Sequence, residues 1–129
     1  MFTNESLDKD AQFRHLKWSL QALAAPPSEQ LALFPDAVAQ ADELVLDFDN
    51  SAAAVRSRDD RELSEAQLAS LAAIDDQLAT MSRLASEVDA DMWSEAALRH
   101  DPNWGQIREL AAVALEAFGW AGDSPAAPE

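Results

Sequence analysis

The recurrence of apolar residues at i, i+3, i+7 and i+10 in four separate segments is the feature that most constrains the fold. This spacing places the apolar side chains on one face of an α-helix. No segment alternates apolar and polar residues convincingly in the manner of a strand. The four stripes are Phe13, Leu16, Leu20 and Leu23; Val38, Ala41, Val45, Phe48, Ala52 and Val55; Leu71, Ile74, Leu78, Met81, Ala85 and Val88; and Trp104, Ile107, Ala111, Ala114 and Phe118.

Signals for helix ends agree with these stripes. Ser64 and Gln67 have the spacing of a capping box, which starts the third long helix. Asp101 stands before a proline, a pair that suits the first turn of the fourth helix. Gly119 ends that helix, and Trp120 is expected to fold back onto its last turn in a Schellman closure.

The connections between the four stripes are short, which favours an all-α, four-helix up-down bundle with two short extra helical pieces. The pieces are expected at residues 28–34 and 91–99. The alternative is an irregular orthogonal helical array, because the proline-marked short helices can turn the chain. The fourth helix is expected to be the most buried, since Leu110 and Val113 widen its apolar stripe.

A chain of 129 residues suits a single domain, predicted here as residues 1–120 with a flexible tail at 121–129. It contains no cysteine, which suits a reducing cytosol, and a cytoplasmic location is the expectation. No secretion signal and no apolar run long enough to cross a membrane is found in the sequence.

The net charge of −15, from 24 acidic and 9 basic residues, disfavours binding to nucleic acid or anionic lipid because phosphates would be repelled. The acidity is concentrated on the second and third long helices, opposite their apolar stripes. Such a surface either only keeps the protein soluble or steers a basic protein partner into contact. The residues predicted for that contact are Asp36, Glu43, Asp47, Glu65, Asp76 and Glu87.

The first helix carries apolar residues on a second side, which includes Leu7, Trp18 and Ala22. One interpretation is that the short helices cover this side within the molecule. The alternative is an exposed patch around Trp18 that forms a homodimer or another protein contact, where aromatic anchors are common.

Catalytic chemistry finds little support in the sequence. The Glu-x-x-His pairs of carboxylate-bridged metal bundles are missing. Glu62 and Glu65, followed by Glu87, faintly resemble the acidic pairs of all-α nucleotide pyrophosphohydrolases, but Ala90 stands where that motif has an aspartate. We therefore predict no catalytic, cofactor-binding or metal-binding residue, and keep a metal-dependent hydrolase only as a third alternative.

In size, charge and helicity the chain resembles the compact acidic immunity and inhibitor proteins of bacterial conflict systems. This resemblance in build implies a small, non-enzymatic module that occludes a basic surface on another protein. The second hypothesis is a structural or oligomerisation module that uses the Trp18 face.

Overall fold

The computed structural model describes residues 4–32, 40–56, 63–87 and 92–121, and within these ranges the protein consists of helices and turns without strands. This confirms the all-α prediction. The tail beyond residue 121 lies outside the described residues. The six helices are α1, Asn4–Ala24; α2, Pro27–Ala32; α3, Gln40–Arg56; α4, Glu65–Glu87; α5, Glu95–His100; and α6, Pro102–Ala117.

The core is built from the apolar stripes that the sequence predicts. Phe13, Val45, Ala85 and Phe118 lie at its edge and are only partly buried, while Val38 and Val88 lie outside the described residues. Burying large apolar side chains of this kind contributes about 1.5–3 kcal/mol each to folding. The fully buried members of the stripes are Leu16, Leu20, Leu23, Phe48, Ala52, Leu71, Ile74, Met81, Trp104, Ile107, Ala111 and Ala114.

The predicted helix ends are confirmed by their hydrogen bonds. The backbone N–H of Ser64 donates to Gln67 Oε1 at 2.8 Å, and the Gln67 N–H donates to Ser64 Oγ at 3.1 Å. Asp101 Oδ1 accepts the Asn103 N–H at 2.8 Å at the start of α6. Gly119 adopts a φ of +76°, a conformation that a glycine takes without steric cost.

Trp120 closes the Schellman turn at the end of α6. Its N–H donates to the Leu115 carbonyl at 2.8 Å, while the Gly119 N–H donates to the Glu116 carbonyl at 3.1 Å. These bonds satisfy carbonyls that the helix end would otherwise leave free. The turn therefore holds the backbone of Trp120 close to α6.

Helix α6 packs against both α1 and α4, and α1 also packs against α3. Helices α4 and α6 are antiparallel, since Gln67 Nε2 donates to the Ala117 carbonyl and Gln77 Nε2 donates to Asn103 Oδ1. Helices α3 and α4 contact each other sparsely and are joined by an ion pair of 2.7 Å between Arg56 and Asp75. The up-down bundle arrangement in particular stays a prediction.

The contact between α1 and α3 includes two buried serines. The hydroxyl oxygens of Ser19 and Ser51 are 2.9 Å apart. Each hydroxyl also lies within hydrogen-bond distance of a carbonyl in its own helix, that of Leu16 for Ser19 and that of Phe48 for Ser51. One serine can therefore donate to the other while the second donates to its own helix.

The short helices α2 and α5 meet α1 and α6 at a polar cluster centred on Gln30, which is fully buried. Gln30 Nε2 donates to the Ala22 and Leu23 carbonyls at 3.0 and 2.9 Å. Gln30 Oε1 accepts from Arg108 Nε and Nη2, and Arg108 Nη2 also donates to the Leu98 carbonyl. This cluster links the end of α1 to the first half of α6.

Candidate functional site

The acidic residues predicted to form a contact surface fall into two different environments. Glu43 and Asp47 are half-buried on α3, and Asp36 lies outside the described residues. The remaining three, which are exposed on α4, are Glu65, Asp76 and Glu87.

The α3 carboxylates lie on the side of that helix that faces α1. Asp47 is one helical turn before Ser51, which contacts α1. Burial raises the pKa of Asp47, and its electrostatic interaction with His15 of α1 opposes this rise. Arg56, which contacts α4, is nine residues after Asp47 and therefore on the opposite side of the helix. Glu43 and Asp47 consequently do not share one surface with the acids of α4.

The α4 carboxylates form a line along the solvent side of the helix. Glu65, Asp76 and Glu87 are spaced by eleven residues, which is close to three full turns. The line is long, because the first and last of them are about 33 Å apart at a rise of 1.5 Å per residue. Arg83 pairs with Glu87 at 3.9 Å, and both side chains are more than half exposed.

Helix α6 presents two carboxylates and an apolar side chain of its own to solvent. Val113 is 54% exposed, so the expectation that it widens the buried stripe is wrong, whereas Leu110 does pack against the core. Glu109 and Glu116 are exposed and are four residues before and three residues after Val113, which makes them its neighbours on the helix surface.

The register between α4 and α6 places Val113 beside α4 but does not bring it next to the acidic line of that helix. Because Gln67 contacts Ala117 and Gln77 contacts Asn103, Val113 lies at the level of the first half of α4. Asp76 is nine residues after Gln67, and Glu65 shares its side of the helix, so both point away from α6. We call the exposed side of α6 next to α4 the α4–α6 face, and its residues are Glu109, Val113 and Glu116.

The sequence does not single out Glu109 and Glu116 by charge density, because the density of acidic residues is highest in the two middle helices. A local pattern around Val113 does point to these two glutamates. Val113 lies at the edge of a wide apolar stripe, and its neighbours at i−4 and i+3 are both glutamates.

A smaller charged cluster lies where α3 meets α4. Burial raises the pKa of Asp49, nearby Asp75 raises it further, and Arg56 opposes both effects. Within the described ranges, no group of three or more His, Asp or Glu residues is placed to hold a metal ion. Glu65 and Glu87, from the faint hydrolase motif, are at opposite ends of α4, and Glu62 lies outside the described residues.

We expect Asp49→Asn to stabilise the protein slightly at neutral pH. A raised pKa means that the folded state disfavours the charged carboxylate, which lowers the free energy of unfolding. This loss of stability is present at a pH above the folded-state pKa and disappears as the pH falls below the ordinary value of 3.8. Urea unfolding at neutral pH and near about pH 3 measures the effect. Asp42→Asn, at another exposed site two helical turns before Asp49, controls for the loss of one negative charge. An equal gain in both variants would contradict the local origin.

The second apolar side of α1 is largely covered within the molecule. Ala22 is only 5% exposed, and Trp18 is half-buried and packs against the core. Leu31 of α2 also packs against the core, as the intramolecular interpretation expects. The side chain of Leu7 lies outside the described residues. Ala22 is therefore not available to a partner in this conformation.

The fold and its surfaces define a small all-α protein whose α4–α6 face presents carboxylates around an exposed valine. None of the helices described here combines the length and apolar character needed to cross a membrane. Comparison of the chain with protein-family models, with curated proteins and with solved structures found no match.

Proposed function

We propose that this chain is a small, non-enzymatic protein-binding module whose α4–α6 face occludes a basic surface on another protein. The observation that carries the proposal is the exposure of Val113 between Glu109 and Glu116 on α6. An apolar contact surrounded by charged residues is the usual composition of a protein interface.

The two kinds of residue have different roles in this proposal. The carboxylates steer a basic partner into encounter, in keeping with the net charge of −15. Val113 loses its contact with water when the partner docks, which favours the bound state. The predicted contact residues that the structure describes on α3 and α4 lie outside this face and contribute only to the long-range field; they are Glu43, Asp47, Glu65, Asp76 and Glu87. The resemblance in build to immunity and inhibitor proteins agrees with such an occluding role.

A photo-crosslinking experiment tests the proposal in the native cell. A benzoylphenylalanine at position 113 is expected to capture a basic protein, whereas the same group at Glu29, exposed on α2, is expected to capture none. A cross-link between two copies of this chain would instead support the homodimer hypothesis. Equal capture at both positions, or none at position 113, would contradict the proposal.

The captured partner allows a quantitative test of the acidic residues. We expect Glu109→Lys with Glu116→Lys to slow association by about tenfold or more, and the wild-type rate to fall steeply from about 50 to 500 mM salt. The matched control reverses two exposed charges elsewhere, Glu29→Lys with Asp42→Lys. If the control slows association equally, net charge rather than the α4–α6 face is responsible.

A further inference from the structure

An open cleft of about 310 Å³ lies between α1 and the turn that ends α6. Two aromatic and two basic side chains line it, and they are Phe13, Arg14, Lys17 and Trp120. It shares no residue with the α4–α6 face. Its charge is also opposite to that of the molecule as a whole, which carries −15.

The aromatic side of the cleft is held in place by its own contacts. Trp120 stacks on Phe118 with ring centroids 4.7 Å apart and an interplanar angle of 13°. Phe13 meets Trp120 edge to face at 6.4 Å and 73°. All three rings pack against the core, and the Schellman turn fixes the backbone of Trp120. The aromatic surface is therefore formed before any ligand arrives.

Arg14 lacks the ion pairs and hydrogen bonds that hold the other arginines whose side chains the structure describes. Three of them pair with carboxylates, in the pairs Arg56 with Asp75, Arg83 with Glu87, and Arg99 with Glu95. Arg108 donates to Gln30. Arg14 is exposed and forms no ion pair with the described part of the chain, so its guanidinium is available at the cleft.

We propose that this cleft docks an acidic peptide segment of a partner protein, in which an aromatic residue stands beside carboxylates. The aromatic side chain packs against Phe13 and Trp120, and a carboxylate binds the guanidinium of Arg14. The cleft is too open to bury most of a small molecule, whereas a peptide continues along the surface on both sides. Because the molecule repels anions at long range, recognition depends on these short-range contacts.

The test uses capped pentapeptides and the full chain. The first peptide, the aspartate–phenylalanine peptide, has one phenylalanine between two pairs of aspartates. In the asparagine peptide and the lysine peptide, all four aspartates are replaced by that residue. In the alanine peptide, the phenylalanine is replaced by alanine. Binding is followed by NMR through the indole N–H of Trp120 and the backbone N–H of Val113. The variants are Arg14→Gln and, as a matched control on α4, Arg83→Gln.

We expect the aspartate–phenylalanine peptide to bind about fivefold more tightly than the asparagine peptide, in keeping with one exposed ion pair. It should also bind more tightly than the alanine peptide, which lacks the ring that packs against Phe13 and Trp120. Arg14→Gln should remove this preference for aspartate, and Arg83→Gln should leave it. Equal affinity for the aspartate and asparagine peptides, or an equal loss in both variants, would overturn the proposal. The proposal would also be overturned if the lysine peptide shifted the Trp120 signal as strongly as the aspartate peptide does. If the lysine peptide shifts only the Val113 signal, it binds the α4–α6 face. The proposal for the cleft and the proposal for the α4–α6 face can therefore fail separately.

Discussion

Replacing Trp104 by alanine is expected to lower the free energy of unfolding by about 3–5 kcal/mol, the largest effect of any single substitution considered for this protein. Trp104 is fully buried, its Nε1–H donates to the Met92 carbonyl at 2.8 Å, and its ring meets Trp93 edge to face at 6.1 Å. The alanine leaves a cavity and an unsatisfied carbonyl. Domains of this size are stable by only about 5–15 kcal/mol, so this loss is a large fraction of the total.

Urea unfolding followed by circular dichroism measures this loss. The control is Val113→Ala, which removes apolar atoms at a site that is 54% exposed and should change stability by less than about 0.5 kcal/mol. If Trp104→Ala unfolds at the same urea concentration as this control, the placement of Trp104 in the core is wrong.

Gln30→Leu is the second substitution with a large expected effect, a loss of about 2–4 kcal/mol of stability. The leucine keeps much of the side-chain volume but removes both donors and the acceptor. The Ala22 and Leu23 carbonyls then lose the Gln30 amide, which leaves the Ala22 carbonyl with only a long bond of 3.4 Å from the Ala25 N–H. The half-buried guanidinium of Arg108 loses the Gln30 oxygen and keeps the Leu98 carbonyl. Burial already lowers the pKa of Arg108, which shows that the environment disfavours its charge.

A double-mutant cycle separates the contribution of Arg108 from that of the two carbonyls. We expect Arg108→Met to cost stability alone but to cost less in the Gln30→Leu background, with a coupling of about 1–3 kcal/mol. The two residues are 78 positions apart, so the coupling also tests the contact between α2 and α6. Additive losses would show that the two side chains act independently.

The features that the sequence predicts correctly are local ones. The capping box at Ser64 and Gln67 and the Schellman turn at Gly119 involve residues within one or two helical turns. Their geometry follows from hydrogen-bonding groups that every helix end leaves free. The apolar stripes are predictable for the same reason, since helical period alone decides which residues share a face.

The features that the sequence does not predict depend on how helices are placed against each other. A helical wheel puts Asp47 and Asp76 each on an outer side of its own helix, but only the packing shows that one faces α1 and the other solvent. The exposure of Val113 is also not predictable from the sequence, because an apolar residue at the edge of a wide stripe can be either covered or exposed. The Gln30 cluster joins distant segments and leaves no local pattern in the sequence.

The serine pair between α1 and α3 determines how near the two helix axes come. Each hydroxyl can satisfy itself within its own helix, so the polarity of Ser19 and Ser51 is not what keeps the helices together. The small volume of the two serines allows α1 and α3 to pack closely, because a bulkier side chain at either position would increase the distance between the two helix axes. Alanine is thus an acceptable replacement here, whereas leucine would reshape the molecule on the side that carries Glu43 and Asp47.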